Sequence, residues 1–223
     1  DVIPDAWLGV YINPDEIEKE IRQHGFLNFG AFQLSPATTE LQAFWMNSAL
    51  LAKQSKLAEI AQLQLEGQHL YFNQLSVDSY HASVLADFIR RQLLHQGISF
   101  TFETVMSSPD KVALLSTAKA LGFRCYLYYI ATEDPKINED RVRCRVESGG
   151  HNVSPDKIHS RYRRSLALLR DAVFLSDRAY LFDNSGSDRE WIAEVTNGDE
   201  IVMKTDIMPQ WFKAALWDNF DAP

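Results

Sequence analysis

Short apolar runs bounded by turn residues constrain this chain most. Tyr126-Leu-Tyr-Tyr-Ile-Ala131 and Ala179-Tyr-Leu-Phe182 are too short for core helices and rich in β-formers. Each follows a stretch with helical periodicity, and the first is the kind of run buried on both faces of a parallel sheet. Val10-Tyr11-Ile12 and the β-forming run over 98–106 add two more strands of this type. Strands alternating with helices predict right-handed βαβ units, hence an α/β fold with a mostly parallel sheet.

Helix boundaries are equally readable. Asn13-Pro14-Asp15-Glu16 opens a helix running to Gln23, with His24-Gly25 ending it. Val77–Gln96 is a long amphipathic helix stopped by Gly97, and Ser108-Pro109-Asp110 starts another that ends at Gly122. Helices over 138–148 and 155–175 flank the Gly149-Gly150-His151 turn. Trp191–Thr196 and Glu200–Thr205 surround Asn197-Gly198 in a hairpin pattern, and 209–220 closes the chain as an amphipathic helix. Residues 26–74 carry weaker signals and read as a helical insertion or substrate-side subdomain, with helices near 39–51 and 56–65. The 223 residues form one domain on this reading.

The net charge of −8 argues against a broad nucleic-acid surface, which needs a basic footprint. Within this acidic chain, Arg141–Arg170 holds eight lysines and arginines, a local anion site or a solvated helix face. No run is long and apolar enough to span a bilayer and no signal peptide opens the sequence, so a cytoplasmic protein is expected. Cys125 and Cys144 lack metal-ligand spacing and read as reduced packing residues; the histidines have no zinc spacing.

Several residues stand out chemically. Asp15 lies just past a strand end, where open α/β sheets place ligands, and is either a base for a substrate hydroxyl or a partner of the helix dipole. Glu103 sits inside an apolar strand run on the face of Thr101 and Val105, where a lone carboxylate is costly unless used. Arg141 and Arg145 share a helix face, as do Arg161 and Arg164 beyond the Gly-Gly turn, a pattern suited to a closing arginine lid. Asp183-Asn184-Ser185-Gly186 is either a loop beside a nucleotide base or a plain Asx turn.

In order and spacing, these pieces resemble the zeta-toxin-like family of P-loop kinases. The resemblance rests on Ile12-Asn-Pro-Asp15-Glu-Ile, Ser99-Phe-Thr-Phe-Glu103-Thr104, Ala131-Thr132-Glu-Asp-Pro, Arg141-Val, Arg145-Val, Gly149-Gly150-His151, Lys157-Ile, Arg161-Tyr and Ser176–Asn184. It implies a P-loop NTPase-type three-layer α/β/α fold with a helical lid, and ATP- and Mg²⁺-dependent phosphorylation of a small molecule. Well-known members phosphorylate a hydroxyl of UDP-N-acetylglucosamine. On that pattern Asp15 matches the catalytic base, and Glu103 with Thr104 the substrate side. Arg145 and Arg161 match the arginines that steady the phosphoryl group. Arg141, with Arg164 and Asn184, falls on the nucleotide side, and an antitoxin protein is an implied partner.

Two departures accompany the resemblance. The Gly-x-x-x-x-Gly-Lys-Ser/Thr loop does not occur in the sequence. The family places it before the Asp15 motif, so the first βα unit is expected upstream of Asp1 and the 223 residues alone are expected to be inactive. The toxins also carry an arginine shortly after the Glu103 position, where this chain has Val105-Met106-Ser107. A kinase for another metabolite, or a non-catalytic nucleotide-binding or antitoxin-docking module, are the alternative readings.

Overall fold

Asn13 is where strand gives way to helix at the start of the chain. Its side-chain oxygen accepts the Asp15 backbone N–H at 2.9 Å, and Pro14 occupies the first helical turn. The strand before it is β1 (Val10–Ile12), and α1 (Pro14–His24) follows, ending at Gly25 in the left-handed conformation (φ 78°). The computed structural model describes residues 8–148 and 152–220, which group into two units, one reaching Glu103 and the other beginning at Thr104.

In the first unit, β1 pairs in parallel with β5 (Phe100–Phe102), Val10 opposite Phe100 and Ile12 opposite Phe102. Gly9 makes this approach possible: with φ 61°, any Cβ there would lie 2.5 Å from the Ser99 carbonyl oxygen. Between β1 and β5 run β2 (Phe26–Asn28), α2 (Thr38–Met46), α3 (Ala49–Lys53), β3 (Gln64–Glu66), β4 (His69–Tyr71) and α4 (Ser79–Gln96). The core joins Ile17 and Ile21 of α1 to Leu85, Phe88, Ile89 and Leu93 of α4, with Phe29, Trp45 and Leu70 filling the rest.

The segment 26–74 is not purely helical. Its helices are short, and β2, β4 and β3 form a three-stranded antiparallel sheet in that order. Gly67, with φ 58°, opens the two-residue turn that lets Glu66 pair with His69. The helix expected near 56–65 therefore gives way to β3 from Gln64.

The second unit contains α5 (Pro109–Ala120), β6 (Tyr126–Ala131), α6 (Pro135–Glu147), α7 (Pro155–Phe174), β7 (Arg178–Asp183), β8 (Glu190–Thr196), β9 (Glu200–Met203) and α8 (Gln210–Ala215). The strand order is β6-β7-β8-β9, with β6 and β7 parallel and the rest antiparallel. The hairpin expected around Asn197-Gly198 is therefore present, but only β1–β5 and β6–β7 pair in parallel among the described residues, so the sheet is not mostly parallel. Leu169, Val173, Trp211, Phe212 and Leu216 cover one sheet face, reached by Tyr129, Leu181, Ile192 and Val195.

The other face of β6 is open. Tyr126 and Ile130 are 49% and 48% exposed, so β6 is buried on one side and not on both. Alternation explains it: Tyr129 and Ala131 turn inward while Tyr126, Tyr128 and Ile130 turn outward, where Tyr128 stacks on Tyr180 at 4.7 Å. Cys125 is buried as expected, but Cys144 is exposed on α6 and does no packing. No helix among the described residues is long and apolar enough to cross a membrane.

Candidate functional site

The parallel pair β1–β5 brings two strand ends to one edge, the position at which open α/β sheets bind ligands. Beyond β1, Asn13 starts α1 and Asp15 stands exposed in its first turn. Beyond β5 comes Glu103, whose backbone N–H still reaches the Ile12 carbonyl at 3.4 Å.

Glu103 thus lies one residue past its strand and is exposed, rather than inside the apolar run. The expected 98–106 strand is shortened because β1 ends at Ile12, where Asn13 turns into its capping geometry and leaves nothing for residues beyond Glu103 to pair with. Solvent removes the desolvation cost that first drew attention to this carboxylate. Its position at the strand end gives it interest instead.

Three side chains meet at this edge. Asn13 Nδ2 donates to Glu103 Oε2 and to the Tyr11 hydroxyl, each at 3.3 Å. The Glu103 carboxylate acts on the Tyr11 hydroxyl, whose pKa is raised, by partial burial first and by that carboxylate, against the lowering effect of the Asn13 bond. Asp15 and Glu103 are thereby linked through one amide: its oxygen holds the Asp15 backbone and its nitrogen holds Glu103. Asn13 and Tyr11 escaped the sequence reading. An Asn directly before a helix-opening Pro is a capping signal, but its second contact, 90 residues away, has no local signature.

Thr104 does not join this cluster; its hydroxyl accepts the Met106 N–H at 3.0 Å, closing a local turn in which Met106 takes φ 50°. In the second unit, α6 begins at Pro135, three residues earlier than the spacing predicts, because Asp134 caps it through the Lys136 N–H. Arg141 donates to the backbone carbonyls of Asn184 (2.6 Å) and Gly186 (3.4 Å), tying α6 to the loop after β7. Asp140 pairs with Arg143 at 2.7 Å and leaves Arg141 to that loop. Arg145 is exposed on the face it shares with Arg141; on α7, Arg161 is half-buried and Arg164 exposed. The expected hinge, 149–151, lies outside the described residues, and α6 and α7 are joined by a hydrogen bond between Glu139 and His159.

A sequence profile for the family described as Zeta toxin matches residues 74–190, more than half of the chain. The chain belongs to the zeta toxin family. That family is one of nucleotide-binding, kinase-like P-loop NTPases, which agrees with the parallel strand pairs and flanking helices. The match spans Glu103, Thr104, Arg141, Arg145, Arg161, Arg164 and Asn184, whereas Asp15 lies before it. An uncharacterized protein of Haemophilus influenzae is 36% identical over 69 residues, 31% of this chain and 49% of that protein. The chain thus spans about half the length of the curated relative it matches. No solved structure matches it.

Proposed function

We propose that the protein is an ATP- and Mg²⁺-dependent kinase of a small-molecule hydroxyl, with a nucleotide sugar such as UDP-N-acetylglucosamine as acceptor. An antitoxin protein as partner and the three-layer P-loop fold belong to the same proposal. The observation that carries it is the edge of β1–β5, where Asp15 and Glu103 stand exposed and are linked through Asn13.

The donor set suits an acceptor hydroxyl. Asp15 is exposed at a helix start, and its side chain makes no hydrogen bond or ion pair among the described residues, so it is available as a proton acceptor. Glu103 accepts from Asn13 on one side and keeps lone pairs for substrate hydroxyls. No residue here is assigned the phosphate cradle, because the Gly-x-x-x-x-Gly-Lys-Ser/Thr loop is not in the sequence.

Bound Mg-ATP would supply the transferable phosphoryl group. Asp15 takes the acceptor hydroxyl proton as that oxygen bonds phosphorus and the bond to the departing diphosphate oxygen breaks. Glu103 and Thr104 orient the acceptor, with Arg145 and Arg161 neutralising phosphoryl charge. Arg141, Arg164 and Asn184 belong to nucleotide binding on the same reading. The direct tie from Arg141 to the Asn184 carbonyl supports a nucleotide-side role for that loop.

The test is Asp15→Asn in the protein as its gene encodes it. Single-turnover phosphoryl transfer should fall by about 10²–10⁴-fold with ATP affinity nearly intact, the usual effect of losing a positioned base. Near-normal transfer would remove Asp15 from the chemistry. Nucleotide binding without transfer to any acceptor in the unmutated protein would favour a binding module instead.

A further inference from the structure

Asn13 does two separable things. Capping α1 needs only its side-chain oxygen, which takes the Asp15 N–H. Any of Asp, Ser or Asn can do this with similar effect. Its amide nitrogen is not required for the cap, yet it donates to both Glu103 and Tyr11. Serine, too short to span both contacts, or aspartate, which has no donor, would cap α1 and lose this second function.

The geometry points to Asn13 as a positioning residue that fixes the Glu103 carboxylate and the Tyr11 hydroxyl for acceptor binding while its other atom fixes the start of α1. This inference rests on the proposed acceptor-side role of Glu103. Tyr11 stands on the face of β1 opposite the buried Val10 and Ile12, so its ring is not part of the core and its hydroxyl is committed to this edge. One amide nitrogen thus serves two acceptors, the Tyr11 hydroxyl and the Glu103 carboxylate, and gathers both at this edge. Without the amide, the carboxylate and the phenol lose the donor they share, and Glu103 loses its link to the helix carrying Asp15.

The test compares Asn13→Asp, Asn13→Ser, Glu103→Gln and Tyr11→Phe in the protein as encoded, with UDP-N-acetylglucosamine as the acceptor probe. Both Asn13 variants keep a cap; Asn13→Ser should melt like the parent, and Asn13→Asp, which sets a second carboxylate 3.3 Å from Glu103, slightly below it. Both should raise KM for the probe by about tenfold while leaving KM for ATP unchanged, the signature of weakened acceptor binding. The Tyr11 hydroxyl, followed by ¹³C-labelled tyrosine NMR and assigned with Tyr11→Phe, should titrate at higher pH in Asn13→Ser, which loses the donated bond. An unchanged Tyr11 titration in a normally melting Asn13→Ser would overturn the proposal whatever the kinetics. So would a parental KM in Asn13→Ser when Glu103→Gln raises it. If Tyr11 shifts but Glu103→Gln leaves KM unchanged, the acceptor-side reading of Glu103 fails while the positioning of the cluster by Asn13 stands.

Discussion

The two parallel strand pairs end in carboxylates used in opposite ways. At the end of β1–β5, Glu103 is exposed and is held from one side by Asn13. At the end of β6–β7, the acids are occupied by the protein itself. Asp183 Oδ2 accepts the Trp211 indole N–H at 2.7 Å and the Ser185 hydroxyl at 3.0 Å, while Oδ1 takes the Ser185 N–H at 2.8 Å. Glu133 accepts the Gln210 N–H at the start of α8, and Asp134 caps α6. The same topological position therefore does different work: one edge leaves acceptor capacity open to a ligand, and the other uses it to dock loops and a helix. A carboxylate at a strand end is a functional candidate only after its donors have been counted.

That contrast breaks most readily at Asp183. Trp211 is only 3% exposed, so Asp183→Ala strands its N–H and should lower unfolding free energy by about 2–3 kcal/mol in urea titrations. A loss near zero would mean that the second edge is as open as the first.

A smaller effect is expected at Tyr162, whose hydroxyl donates to the Thr132 and Glu133 carbonyls at 2.7 and 3.2 Å. Burial, then the charges of Glu133, Asp134 and Asp183, push its pKa up to about 12 from 10.0. The unfolded chain releases this proton first, so its contribution is complete below pH 10 and is lost as pH rises toward 12. Tyr162→Phe should cost about 1 kcal/mol at neutral pH and flatten the alkaline fall in stability. Identical alkaline profiles for parent and variant would detach Tyr162 from this edge.

Glu103→Gln should change stability least, by about 0.5 kcal/mol or less, because the amide still accepts from Asn13 and the site is exposed. A loss matching Asp183→Ala would make Glu103 structural and erase the distinction between the two edges.

Much of this was legible in the sequence because the signals are local. The Asn13-Pro14 start, the Gly97 stop and the Asn197-Gly198 hairpin each depend on residues within a few positions, and the structure has all three. Failures came where distant partners decide. The strand at 98–106 stops early because β1 stops, β6 has one open face because only one side is covered, and 64–71 folds as a hairpin whose strand β4 also pairs with the distant β2. Asp15, Glu103 and Arg141 could be picked out by residue type, but the amide joining the first two and the loop carbonyls receiving the third could not.

Helix α6, which carries Arg141 and Arg145, has no buried residue, whereas α7 buries Ile158, Leu169, Ala172 and Val173. What holds α6 is polar: the Asp134 cap, Asn138 on Thr132, Glu139 on His159, and Arg141 on the Asn184 loop. Releasing such a helix uncovers little apolar surface, so its opening has a small heat-capacity change and a shallow denaturant slope.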